Sequence, residues 1–217
     1  MFNEKKPWEY GKLQVSKNGR YLQNGDQPFF WLADTAWLLV QKLTLEETYV
    51  YFKNRRDKGY NVIQFDFIHS LPDANAYGDT ALINDDFNQP NLDGGYWDHV
   101  DKVIDMAEEL GLYAAILPVW GSSIVKGGQL TMDNVDAYTN FVTKRYANRP
   151  NLIWVVGGDV RADVNMELFC RMGQIAKKNS PEYLVTYHPF GRTSSTQWVK
   201  DEEWLDFNMF QSGHRRY

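Results

Sequence analysis

One pattern constrains this chain more than any other. Short, near-continuous apolar runs alternate with segments of helical character along most of its length. The runs fall at 29–33, 61–65, 112–119, 152–156, 183–187 and 207–210. Between them, 44–58, 97–110, 133–146 and 166–178 read as helices, and 198–204 as a short one. Their ends are marked. Thr44 with Glu47 three residues on is a capping box, and Gly59 stops that helix. Gly111 closes the next, and Ser180-Pro181 ends the helix from 166. Unbroken apolar strands separated by crossover helices predict a parallel sheet covered on both faces. Two architectures satisfy that pattern, a doubly wound sheet and a (β/α)8 barrel. A doubly wound nucleotide binder carries a glycine-rich turn after its first strand. Here that place holds Ala33-Asp34-Thr35-Ala36-Trp37, and no P-loop occurs anywhere. The α/β fold predicted is therefore a (β/α)8 TIM barrel.

Ahead of the barrel, 13–16 and 20–22 flank an Asn18-Gly19 turn, and Asn24-Gly25-Asp26 makes a second turn. Residues 1–28 read as an N-terminal β-hairpin packed on a barrel domain at 29–217. A complete barrel has eight strands and typically ~250 residues. Six strands are counted in 217 residues, so the barrel is expected to be incomplete. The outer edges of strands one and six would then be open, which invites self-association.

Composition narrows the functions. At 43% hydrophobic the chain can bury a core, and disorder is excluded. No apolar run approaches the ~18 residues of a membrane span. A net charge of −5 with scattered basic residues argues against nucleic acid as a partner. The lone cysteine, Cys170, forms no internal disulfide and reads as a buried structural thiol. No apolar segment follows the charges of the first seven residues, so a cytoplasmic location is expected. With 8 Trp, 13 Tyr and 12 Phe the chain is rich in rings that stack on sugars. Composition alone fits core packing better, so position must decide.

A barrel places its site at the C-terminal strand ends. Those ends carry Asp34 and Trp37, Asp66 and His69, Trp120, Asp159, His188, and Gln211 with His214. The set suits a carbohydrate. Asp34 and Asp66 would hold sugar hydroxyls, and Asp66 could also serve as a nucleophile. Trp37 and Trp120 would stack on sugar rings, and His188, Gln211 and His214 would bond hydroxyls. Asp159 after Gly157-Gly158 would be the catalytic acid, with capping of the next helix as its structural alternative. His69, His188 and His214 lack metal-site spacing, so neither metal nor cofactor is expected.

The residues also carry a family resemblance. Gly11-Lys12-Leu13-Gln14-Val15-Ser16-Lys17-Asn18-Gly19-Arg20-Tyr21-Leu22, followed by Pro28-Phe29-Phe30-Trp31-Leu32-Ala33-Asp34-Thr35-Ala36-Trp37, resembles the start of the apiosidase-like glycoside hydrolases of family 140. Gly59-Tyr60-Asn61-Val62-Ile63-Gln64, the run from Asn151 to Asp159, and Phe210-Gln211-Ser212-Gly213-His214 resemble its later motifs. The resemblance implies retaining hydrolysis that releases apiose from complex pectin. It implies that Asp159 is the acid/base and that a glutamate ending strand seven is the nucleophile. No glutamate of this chain stands at a predicted strand end. Two other functions therefore stay open: a non-catalytic sugar-binding protein or inert fragment, and a metal-dependent barrel isomerase or lyase using the histidines.

Overall fold

The computed structural model describes residues 5–213. The readings of the first residues and of His214 lie outside that range. The N-terminal unit is a meander of three strands rather than a hairpin. β1 (Leu13–Val15), β2 (Leu22–Asn24) and β3 (Gln27–Phe29) pair antiparallel in that order. The turn at Gly25-Asp26 returns the chain so that Leu22 faces Phe29 and Asn24 faces Gln27. Pro28 has no N–H to give, and it lies on a strand with a neighbour on one side only. The apolar run expected as barrel strand one is thus divided. Its start belongs to the meander, and the barrel strand β4 is Ala33–Thr35.

From β4 the chain alternates strand and helix. β5 (Val62–Asp66), β6 (Tyr113–Leu117), β7 (Leu152–Gly157) and β8 (Val185–His188) follow in a parallel sheet ordered as in the sequence. The crossovers run through α1 (Leu39–Lys42) and α2 (Leu45–Asp57), then α3 (Tyr96–Glu109), then α4 (Gly121–Ile124) and α5 (Val135–Arg145), then α6 (Met166–Asn179). The predicted capping box opens α2: Glu47 N–H donates to Thr44 Oγ1, and Thr44 N–H donates to Glu47 Oε2. Burying both faces of the sheet makes two cores. Ile63, Phe65, Ala114, Ile116, Trp154 and Val156 pack against the helices. Val62, Tyr113, Ala115, Leu117, Ile153 and Val155 pack inside the curl, with Leu13 at one end and Trp120 at the other. The interior set is offset by one residue from the outer set on every strand, as the period of two requires.

The sixth strand is not where the apolar run placed it. Phe210–Gln211 forms β10, which pairs antiparallel with β9 (Thr193–Ser194) in a separate two-stranded sheet. Just before it, residues 206–207 lie along β8 without continuing the parallel ladder. Val185 N–H donates to Asp206 Oδ2 at 2.7 Å, Asp206 N–H to Val185 O at 2.9 Å, and Thr186 Oγ1 to Phe207 O at 2.6 Å. The parallel sheet therefore holds five strands among the described residues. Its outer strands are β4 and β8, not the first and sixth of a six-stranded sheet, and β8 is partly covered. The short helix expected at 198–204 is replaced by a 3-10 turn at Ser195–Gln197. The Trp31 ring meets Phe207 at 5.6 Å, so side chains from the two ends of the sheet touch.

Candidate active site

The interior rows end, at the C-terminal edge, in Asp66 on β5, Gly157 on β7 and His188 on β8. Beyond Gly157 the chain turns sharply. Gly157 (φ 98°), Gly158 (φ 109°) and Asp159 (φ 46°) all have positive φ. A Cβ on Gly158 would stand 2.9 Å from both Gly121 N and the Trp120 ring. Only glycine allows this approach, and it delivers Asp159 to the site.

Asp159 caps no helix; Asn165 caps α6 instead. The Asp159 N–H donates to His188 Nδ1 at 3.3 Å, and Gln211 Nε2 donates to Asp159 Oδ1 at 2.8 Å. The carboxylate stays 44% exposed. His188 is buried, and burial holds its ring below the usual imidazole range despite the Asp159 charge 3.9 Å away. With Nδ1 accepting, the hydrogen-bond pattern assigns its proton to Nε2.

Rings gather around this carboxylate. Trp37 packs against Trp120 at 4.9 Å and edge-on to His188 at 5.1 Å. Trp120 lies 5.8 Å from His188 and stacks on His69 at 5.2 Å, tilted by 20°. Trp120 is 6% exposed, so it backs the wall, while Trp37 and His69 are more open.

Two of the expected sugar-binding carboxylates are employed otherwise. Asp34 pairs in register with Ile63, whose side chain faces the helices. It accepts from Tyr51 at 3.0 Å and is ion-paired to Arg55, both on α2. Its place is the sheet–helix interface, not the interior. Asp66 does face the interior, but none of its surface is open. Its Oδ2 lies 2.7 Å from His69 Nδ1, and Gln41 Nε2 reaches its Oδ1 at 3.5 Å. A sealed carboxylate neither holds a hydroxyl directly nor attacks an anomeric carbon. Gln211 likewise bonds Asp159 rather than standing free.

Behind Asp66 sits a second buried acid that the sequence did not single out. Tyr96 Oη donates to Asp73 Oδ2 at 2.8 Å, and Gln41 Nε2 lies 3.2 Å from Tyr96 Oη and 2.9 Å from Phe67 O. Burial pushes Asp66 up to about 6 and Asp73 up to about 7. The Asp66 hydrogen bond lifts His69 above the usual imidazole range. Sequence spacing speaks for His69 only as a metal ligand, and disfavours that; its place three residues beyond an interior Asp is the signal that points to it. Among the described residues no group of three or more His, Cys, Asp or Glu is arranged to hold a metal ion. Cys170 lies on α6, with its thiol pushed up to about 11, chiefly by burial. No described glutamate ends a strand of the parallel sheet.

Several solved glycoside hydrolases share this fold. One described as "Glycoside hydrolase" superposes with a TM-score of 0.94 at 42% identity, covering 99% of this chain and 49% of that one. A glycoside hydrolase family 5 protein from Bacteroides vulgatus gives 0.93 at 41%, covering 98% and 47%. The chain thus spans about half the length of each. An endo-1,4-beta-mannanase from Rhizomucor miehei, 13% identical over 82% of this chain and 60% of its own, shares the fold at a TM-score of 0.61. With these barrel enzymes as neighbours, the five β/α strands are part of a glycosidase-type TIM barrel. No curated protein matches the chain. The family described as "Apiosidase-like, catalytic domain" matches residues 16–217, and the chain belongs to that family.

Proposed function

We propose that this chain carries the acid/base half of a retaining glycoside hydrolase centre acting on apiose-containing side chains of plant cell-wall polysaccharide. The observation that carries the reading is Asp159: part-exposed, delivered by two glycines to the C-terminal end of β7, held by Gln211 and His188, and set beside an aromatic wall. In the first step Asp159 gives its proton to the glycosidic oxygen as that oxygen leaves the anomeric carbon. A second carboxylate attacks the same carbon from the opposite face and forms a glycosyl ester. Water then attacks that carbon, Asp159 takes the water proton, and the ester bond breaks. Retention requires the two carboxyl groups to lie about 5–5.5 Å apart. The family resemblance assigns the second to a glutamate ending strand seven, beyond the five strands described.

The experiment is turnover of an apiose-terminated pectic oligosaccharide and of an aryl apioside by a complete barrel that joins this chain to a seventh strand ending in glutamate, with Asp159 and with Asp159→Asn. General acid catalysis is worth about 10²–10⁴-fold. The natural leaving group should therefore suffer a loss of that size, and the activated aryl group a smaller one. Equal turnover by the two proteins on both substrates would remove Asp159 from the chemistry. One observation favours a second reading: no described strand of the sheet ends in a glutamate. Binding of the oligosaccharide by that complete barrel without any turnover would make this chain a sugar-binding unit.

A further inference from the structure

We propose that His69 is a sugar-hydroxyl-binding residue of this site, oriented through Nδ1 by the sealed Asp66 carboxylate and presenting its Nε2 beside the face of Trp120. The inference rests on the carbohydrate reading above and adds to it a specific hydroxyl-binding nitrogen. Three observations carry it. First, the Asp66 carboxylate has no surface open to solvent, yet it is spent on a ring that is itself a quarter exposed. Replacing a buried ionic pair by apolar side chains is often neutral or stabilising, so stability alone gives little reason to keep one here. Second, the ring plane is fixed twice, by the 2.7 Å bond to Asp66 and by the near-parallel stack on Trp120. A neutral histidine whose Nδ1–H is held by a carboxylate has its Nε2 lone pair set to accept, and Nε2 donates only when the ring is doubly protonated. Among the described residues no protein atom bonds Nε2. Third, the ring stands on the wall that leads to the acid, since Trp120 touches both His69 and His188, and His188 accepts from Asp159.

The groups facing His69 are Asp66 from β5, Asp73 from the loop after β5, and His188 from β8 across Trp120. Gln41 of α1 and Tyr96 of α3 brace the two acids from behind. Both acids raise the affinity of the His69 ring for its proton. Sugar hydroxyls both donate and accept, so Nε2 can bond one in either protonation state of the ring. The ligand chemistry that fits is a neutral sugar whose ring lies against the aromatic wall and turns one hydroxyl toward Nε2.

His69 acts by contact and Asp66 by positioning, and the test separates the two. The full chain is labelled with ¹⁵N-histidine, and the His69 nitrogens are assigned from a His69→Gln variant. The expected titration midpoint lies above the ordinary ~6.5 and falls toward it in Asp66→Asn. Methyl β-D-apioside should move the Nε2 resonance and leave Nδ1 nearly still. Its affinity, read by tryptophan fluorescence, should drop about two- to tenfold in His69→Gln, the weight of one hydrogen bond. Methyl glycosides of arabinofuranose, galactopyranose and rhamnopyranose are titrated in parallel. If one of these moves Nε2 and the apioside does not, the hydroxyl-binding role stands and the apiose reading falls. A sugar that changes tryptophan fluorescence without moving Nε2 overturns the inference, as does failure of all four to bind. The wild-type spectra decide the matter even if a variant fails to fold.

Discussion

Substituting alanine for Gly158 tests the geometry that delivers Asp159. Two costs act together. An alanine at φ 109° sits in a region L-residues rarely occupy, worth about 1–3 kcal/mol of strain. Its Cβ would also lie 2.9 Å from a backbone nitrogen and from the Trp120 ring, and 3.0 Å from Leu117 Cδ2. Overpacking of that kind costs about 1–3 kcal/mol more. Against a domain stability of about 5–15 kcal/mol this is a large fraction. For a chain of this size each kcal/mol shifts Tm by about 2–4 °C, so a fall on the order of 5–20 °C is expected. The control is Gly19→Ala, at φ 69° with nothing within 4 Å of the added Cβ, which carries only the backbone cost of about 1–2 kcal/mol. Thermal unfolding followed by circular dichroism compares the two. If Gly158→Ala melts no lower than Gly19→Ala, the close approach of this turn to Trp120 is refuted.

Other consequences can be measured on the same material. Asp73→Asn should stabilise the fold more as pH rises. The folded carboxyl, at about 7, holds its proton where the unfolded one has lost it, so wild-type stability falls between about pH 4 and 7 while the amide is indifferent; a Tm difference that is flat from pH 4 to 8 sinks this. Asp34→Ala should cost about 1 kcal/mol through the lost Tyr51 and Arg55 contacts, discounted for their partial exposure, and should leave sugar affinity intact; a large loss of affinity in fluorescence titrations would return Asp34 to the site. Gln211→Leu should weaken the hold on Asp159 and lower turnover of the pectic oligosaccharide more than its binding; unchanged kcat removes that role. The outer edge of β4 should support self-association, so light scattering over a dilution series should give a concentration-dependent mass; a constant mass of a single chain argues against it.

Much of this architecture was legible because it is written in local signals. The Thr44–Glu47 box, the glycines after α2 and α3, and the apolar rows of β5 to β8 each act through neighbours a few residues away. What failed depended on register and partners far along the chain. Asp34 was read as lying past the end of its strand; β4 is shifted, Asp34 lies within it, and the period of two turns its side chain to α2. The run at 207–210 has strand composition, yet Asp206 is held by Lys177 and by the Val185 N–H, which redirects the chain. The strand pattern puts Asp66 at a strand end, but its burial beneath His69 follows from the path of the loop after β5, for which no periodic signal exists. Gln41, on a four-residue helix, carried no motif that would link it to Asp66 and Asp73.

The packing of Trp37 on Trp120 has an optical consequence. Two indoles 4.9 Å apart and tilted by 46° couple their electronic transitions. Such a pair should give a couplet in the circular dichroism, and among the described residues no other two tryptophan rings are in contact. The two rings are also flanked by His69 and His188, and a protonated imidazole quenches indole emission. His69 is drawn toward the protonated form and His188 away from it, so the fluorescence of this wall should report the charge on one histidine in particular. Occupancy of the site can thus be followed by light alone, without a label and without turnover.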